Sequence, residues 1–119
     1  MISFIHYAKC GTCRKAAKWL EAEQIEVTPR DIISENPTEE EITVWIEKSG
    51  LPASKFFNTS GLRYKELNLK DTVKTASEKE LIKLLASEGK LVKRPVLVCE
   101  DTVLVGFKEE EWTRILLNK

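Results

Sequence analysis

His6-Tyr7-Ala8-Lys9-Cys10-Gly11-Thr12-Cys13-Arg14-Lys15-Ala16 is the stretch on which the fold turns. The residues leading into it, Ile2 to Tyr7, are apolar and aromatic and end at the turn-like Ala8-Lys9-Cys10-Gly11, which reads as a buried strand. From Thr12 the period changes. Cys13, Ala16, Ala17 and Leu20 fall at i, i+3, i+4 and i+7, one face of a helix with Thr12 or Cys10 at its start. That helix should fade near Glu23-Gln24. Ile25 to Ile32 then reads as a second strand, in which Pro29, lacking an N–H, suits an edge or an end. The order is strand, helix, strand.

Further along, Thr38-Glu39-Glu40-Glu41 has capping-box spacing and is followed by Ile42, Trp45 and Ile46 on one helical face, with Gly50 as a stop. Phe56 and Phe57 are expected in the core, Asn58-Thr59-Ser60-Gly61 in a turn, and a short helix around Tyr64 to Leu67. Ser77-Glu78-Lys79-Glu80 reads as a second capping box before Leu81, Leu84 and Leu85, with Gly89 as the stop. Pro95 to Cys99 and Thr102 to Val105 are β-branched runs separated by Glu100-Asp101, a hairpin signal. Lys108-Glu109-Glu110-Glu111 opens a last helix carrying Trp112, Ile115 and Leu116. An early parallel pair and a late antiparallel pair make a mixed-sheet α/β arrangement.

The Cys10-Gly11-Thr12-Cys13 spacing carries the chemistry. After a strand and at the opening of a helix, C-x-x-C means redox work, because both sulfurs can meet at the first helical turn. Unpaired N–H groups and the positive end of the helix dipole favour a thiolate there. A dipole contribution of about 1 kcal/mol is roughly 0.7 pKa units, and hydrogen bonds or cations such as Lys9, Arg14 and Lys15 can bring a thiol from about 8.5 to about 6–7.5. Cys10 precedes the helix and is the candidate nucleophile. Cys13 shares the face of Ala16 and Leu20 and suits a resolving thiol that closes a redox-active disulfide with Cys10. The alternative is two inert buried cysteines three residues apart. His6, at the strand's end, either helps to hold the thiolate or is a core histidine. Arg94, just before Pro95, either holds an oxyanion by a two-pronged contact or is a surface arginine. Cys99 reads as core packing.

The 119 residues fit one domain, 1–119, with 42% hydrophobic and 32% charged residues, enough for a packed core. Lys plus Arg and Asp plus Glu are 19 each, so bulk charge gives no case for binding nucleic acid or an anionic membrane. No apolar run approaches the roughly 20 residues of a membrane span, and the start lacks a signal-peptide pattern, so a cytoplasmic protein is expected. An odd cysteine count does not suit a secreted disulfide framework. A zinc site would have only Cys99 and His6 to add to the pair, so no metal is expected.

His6 to Ala16, Asn58-Thr59-Ser60-Gly61, Lys93-Arg94-Pro95-Val96 and Val105-Gly106-Phe107 resemble, in order over nearly the whole chain, the arsenate reductase/Spx family. The resemblance implies a thioredoxin-like (glutaredoxin-like) mixed four-stranded sheet with helices on both faces and a helical insert over about 36–90. It also places Pro95 at a cis-proline position facing the redox cysteine. It implies catalytic roles for Cys10, Cys13, Arg94 and His6, and substrate contacts from Gly11, Thr12, Arg94 and Pro95. No cofactor is implied beyond a thiol donor such as glutathione, glutaredoxin or thioredoxin, and a monomer is expected. Two branches diverge. Arsenate reductases hold the oxyanion with three arginines. Arg94 matches one, but no arginine stands at Asn58 to Ser60 or at Gly106-Phe107. Losing two charge-assisted partners at roughly 1.5–3 kcal/mol each weakens oxyanion holding. Spx regulators use a C-x-x-C switch and bind the RNA polymerase α subunit. They usually have arginine where Ser60 stands and a basic tail beyond the last helix, whereas this sequence ends at Lys119. The expectation is a thiol-disulfide redox protein, an enzyme with arsenate reductase-like chemistry, with a redox-sensing regulator as the alternative.

Overall fold

The computed structural model describes residues 2–117. Strand β1 (Ser3–His6) is followed by α1 (Gly11–Ala22) and β2 (Thr28–Asp31). The insert comprises α2 (Glu39–Ser49), a 3-10 turn (Ala53–Phe56), α3 (Leu62–Glu66), α4 (Leu69–Thr75), α5 (Glu78–Ser87) and a second 3-10 turn (Gly89–Leu91). The hairpin β3 (Val96–Val98) and β4 (Val103–Val105) and then α6 (Glu109–Leu116) complete the described chain. The sheet has four strands in the order β2-β1-β3-β4. β1 is parallel to β2, as a helical crossover requires, and antiparallel to β3, while β3 and β4 form the antiparallel hairpin.

Side-chain alternation along the strands divides the core between the two faces. Phe4, Leu97 and Leu104 pack with Ala16 and Leu20 of α1 and Trp112 of α6. Their neighbours Ile5, Val96, Val103 and Val105 pack with Ile42 and Trp45 of α2, Phe56, and Leu85 of α5. The sheet is thereby covered on both faces, the thioredoxin-like arrangement with its helical insert.

Several elements differ from their sequence reading. β2 is shorter than Ile25 to Ile32 because Ile25 and Val27 approach the α1 face from a loop, and Pro29 lies exposed on an edge strand. α3 begins at Leu62, and α4 follows it. The sequence pattern missed α4 because Leu69 is its only buried residue. The Thr38 box forms with both bonds, whereas Ser77 only accepts from the Glu80 N–H. Gly89 is not the expected left-handed stop; a Cβ there would meet the Ile32 carbonyl oxygen at 2.3 Å, so it permits a close backbone approach. Arg30 on β2 makes a two-pronged contact with Glu41 of α2 at 2.6 and 2.9 Å, fastening the insert to the sheet edge.

Candidate active site

Cys10 is the N-cap of α1, with extended backbone (φ −95°, ψ 118°), and its Sγ accepts the Cys13 N–H at 3.4 Å. The preceding turn is set by the Cys10 N–H donating to the Tyr7 carbonyl (3.0 Å) and by Arg14 Nε donating to the Ala8 carbonyl (3.1 Å). Arg14 is thus spent on the turn. The cation that acts on Cys10 comes from the far end of the chain, at Arg94, whose guanidinium lies 5.2 Å over the Tyr7 ring. The Arg94–Pro95 bond is cis, as the resemblance implies.

These surroundings separate the two thiols. Burial alone would push Cys10 up, but the Cys13 backbone N–H, the Cys13 thiol and the Arg94 guanidinium together bring it below the ordinary thiol value. Cys13 is pushed up to about 12 by burial, which the Tyr7 backbone only partly offsets, with the charge on Cys10 adding to the rise. Cys13 is only 2% exposed. Its raised value follows from an environment with almost no water to solvate a thiolate.

Cys10 opens into a cleft of about 320 Å³ lined also by Thr12, Asn58, Ser60, Lys93, Arg94 and Phe107. The insert reaches it through backbone pairing: Asn58 N–H donates to the Leu91 carbonyl (2.8 Å) and Lys93 N–H to the Phe56 carbonyl (2.7 Å). Gly106 (φ +76°) turns the chain out of β4 into the cleft wall, and its N–H donates to the Pro95 carbonyl at 2.8 Å. Arg94 Nε and Nη1 are buried and have no hydrogen-bond partner among the described residues.

The structure therefore gathers Cys10, Cys13, Thr12 and Arg94, with Gly11 beside them at the start of α1 and Pro95 next to Arg94. His6 lies outside the Cys10 cleft. It stacks on Phe4 (centroids 5.2 Å apart) and lines, with Ala17 and Leu20, the apolar groove that Cys13 also borders. Cys99 is half-buried beside the α1-face core, and burial pushes its thiol up. Arg63, close in sequence to the gap at Asn58 to Ser60, is held by Glu88 (2.8 Å) and Glu66 (3.3 Å). Sequence reading missed Tyr7 as the platform for Arg94 and Lys108 as a cleft residue. An aromatic at the strand end before C-x-x-C was the available signal for Tyr7; Lys108 read only as a helix start. Among the described residues no cluster of metal-ligating side chains forms, and no helix is long and apolar enough to cross a membrane.

Comparison with known proteins agrees with this geometry. The ArsC family model matches residues 5–115. The uncharacterized protein YusI of Bacillus subtilis is 50% identical over 93% of this chain and 94% of its own. The regulatory protein MgsR of Bacillus subtilis is 30% identical over 99% of this chain and 92% of its own. Among solved structures, a putative ArsC family related protein from Bacteroides fragilis superposes with TM-score 0.92 and 55% identity, covering 96% of this chain and 97% of that one.

Proposed function

Because the chain belongs to the ArsC family, we propose that it is a thiol-disulfide reductase in which Cys10 attacks and Cys13 resolves. The observation that carries this reading is the opposition of the two thiols: Cys10 is lowered at a helix N-cap beside Arg94, and Cys13 is held protonated at about 12 one turn away. Titratable pairs whose environments drive them apart divide donor and acceptor roles between them.

The steps follow from that division. The Cys10 thiolate attacks one sulfur of a substrate disulfide; a Cys10–substrate bond forms as the substrate's own S–S bond breaks, and the leaving thiolate takes a proton from water. Consuming the Cys10 thiolate removes the charge that helps to hold Cys13 high. Cys13 then gives up its proton and attacks the Cys10 sulfur, releasing the substrate thiol and leaving a Cys10–Cys13 disulfide. Two electrons pass from the dithiol to the substrate. A thiol donor of the glutathione, glutaredoxin or thioredoxin kind restores the pair. Arg94 is the arginine in the cleft lining, and Arg63 is committed to carboxylates, so oxyanion reduction is the weaker use of this site.

Reacting each cysteine variant with a small aromatic disulfide tests the proposal. Cys13→Ser should accumulate a mixed disulfide on Cys10, visible by mass, while Cys10→Ser should form none. Equal reaction of wild type and Cys10→Ser would end the proposal.

A regulatory reading is favoured by the similarity to MgsR over nearly the full chain. On it, closing the Cys10–Cys13 disulfide alters docking on a protein such as the RNA polymerase α subunit. Capture of the same partners by reduced and oxidised protein would argue against it.

A further inference from the structure

The resolving step leaves one proton without a destination. Cys13 must lose it to attack Cys10, yet burial holds this thiol up at about 12. A thiol at that value is ionised to roughly one part in 10⁵ at pH 7, so the step calls for a base close to the sulfur. Among the described residues the Cys10 cleft offers none, because its charged lining is Lys93, Arg94 and Lys108. The opposite side of Cys13 differs. There Cys13 borders the apolar groove of about 590 Å³ walled by Phe4, Ala17, Leu20, Ile25 and Val27, and His6 lines the same groove. The His6 ring stacks nearly parallel on Phe4, at an interplanar angle of 7°, and Phe4 packs with Ala16 and Leu20 of α1. Residues two apart on a strand share a face, so the imidazole stands on the α1 side of the sheet, as Cys13 does. The backbone brings them closer still. The Tyr7 N–H, in the peptide directly after His6, hydrogen-bonds to the Cys13 sulfur.

The other charged groups that face this pair are unsuited to taking the proton. Arg14 is a cation, and its Nε already donates to the Ala8 carbonyl at 3.1 Å. Arg94, which acts on Cys13 from the cleft side, is also a cation. Glu21 lines the groove but stands eight positions along α1 from Cys13 (21 minus 13), about 12 Å at 1.5 Å per residue. Asp31 lies opposite His6 in the β1–β2 register, and its Oδ1 accepts the Ile33 and Ser34 N–H groups. Those bonds hold its carboxyl below the ordinary value, so it stays an anion beside the imidazole and favours the charge that a captured proton creates.

We propose that His6 is the proton acceptor of the resolving step. After the first attack, Cys10 is bonded to the substrate sulfur. The Cys13 proton passes to the imidazole, directly or through one water, for which the groove has room. The Cys13 sulfur bonds to Cys10, and the substrate thiolate departs with the electron pair of the broken S–S bond. The imidazolium then returns its proton to solvent. This inference rests on the Cys10–Cys13 reading and assigns His6 to the second sulfur, not the first.

One equivalent of dipyridyl disulfide separates the two steps in a Cys99→Ser background, which leaves only the pair to react. Attack by Cys10 releases one pyridinethione and closure of the Cys10–Cys13 bond releases the second, both followed by absorbance. His6→Asn should release the first close to the parent rate and the second roughly a hundredfold more slowly, the low end of what general acid–base catalysis supplies. With His6 present, the second phase should accelerate with pH and level off as the imidazole becomes neutral. In His6→Asn the levelling should vanish and the rate should keep rising with hydroxide. Imidazole added to His6→Ala should restore the second phase, a rescue that a merely structural histidine would not allow. A second phase in His6→Asn within about twofold of the parent, with the same pH profile, would overturn the inference and leave the Cys10 chemistry standing. So would equal slowing of both phases in a variant with unchanged circular dichroism. Failure of the parent protein to release the first pyridinethione would instead remove the underlying reading.

Discussion

The cleft of Cys10 and the groove beside Cys13 begin one helical turn apart and share almost nothing. Lys93, Arg94 and Lys108 surround the first with polar Thr12, Asn58 and Ser60. The second, about 590 Å³, is lined by Phe4, Ala17, Leu20, Ile25 and Val27, with Cys13 at its wall. The same residue type, three positions apart on one helix, meets a cationic mouth in one place and an apolar flank in the other. Helix position alone makes both sulfurs neighbours of the positive helix end; burial and a distant arginine decide that one is brought below the ordinary thiol value and the other pushed above it.

The sharpest way to break this contrast is to remove one sulfur at a time. Cys10→Ser should reduce disulfide reduction to background, whereas Cys13→Ser should leave the first attack intact and stop at the mixed disulfide, as mass spectrometry and thiol release together report. Arg94→Gln takes away the cation that acts on Cys10 and leaves both sulfurs in place. The Cys10 pKa, followed by thiolate absorbance, should rise, because the Arg94 hydrogen bond and charge both favour the thiolate. The attack rate at pH values below that pKa should fall with the thiolate fraction.

A third comparison sharpens the apolar side. The folded chain holds Cys13 at about 12, above the 9.0 of an ordinary thiol. Its protonated form is the one the fold favours, so its contribution is fully present below the ordinary value. It is lost as pH rises through the range from about 9 to 12. Unfolding free energy of the wild type should therefore fall more steeply across that range than that of Cys13→Ser in denaturant titrations. The smallest effect should come from Glu41→Gln, far from both sulfurs. Loss of the charge-assisted pair with Arg30 should cost about 1 kcal/mol of stability, reduced by its partial exposure, and leave the Cys10 pKa unchanged. Glu41 is held below the ordinary carboxylate value, first by Arg30 and then by the Thr38 N–H against burial. Its contribution is present above the unfolded carboxylate pKa and disappears as pH falls through the lowered one, so wild type and variant should converge in acid.

Much of this could be read along the chain. Alternation in Phe4-Ile5 and Val96-Leu97-Val98, the helical spacing of Cys13, Ala16 and Leu20, and the Thr38 box each encode their element locally, and the ArsC family membership followed from motifs in the expected order. The short α4 was not legible, because seven residues with one buried leucine leave no periodicity to detect. Gly89 was misread for a related reason: a glycine after a helical run signals a left-handed stop, and only the folded chain shows Ile32 pressing against it.

The sequence by itself determined that two sulfurs would stand at the first turn of a helix following a buried strand, because spacing and periodicity are properties of adjacent residues. Tertiary structure decided what surrounds them. Arg94 reaches Cys10 across 84 positions of chain (94 minus 10) only because β3 pairs with β1. Tyr7 becomes the seat of that arginine, and Lys93 and Lys108 meet at the cleft because Gly106 turns out of the edge strand. Electric fields and solvent exclusion act through space, so the chemistry of the pair is settled by neighbours that no local pattern contains.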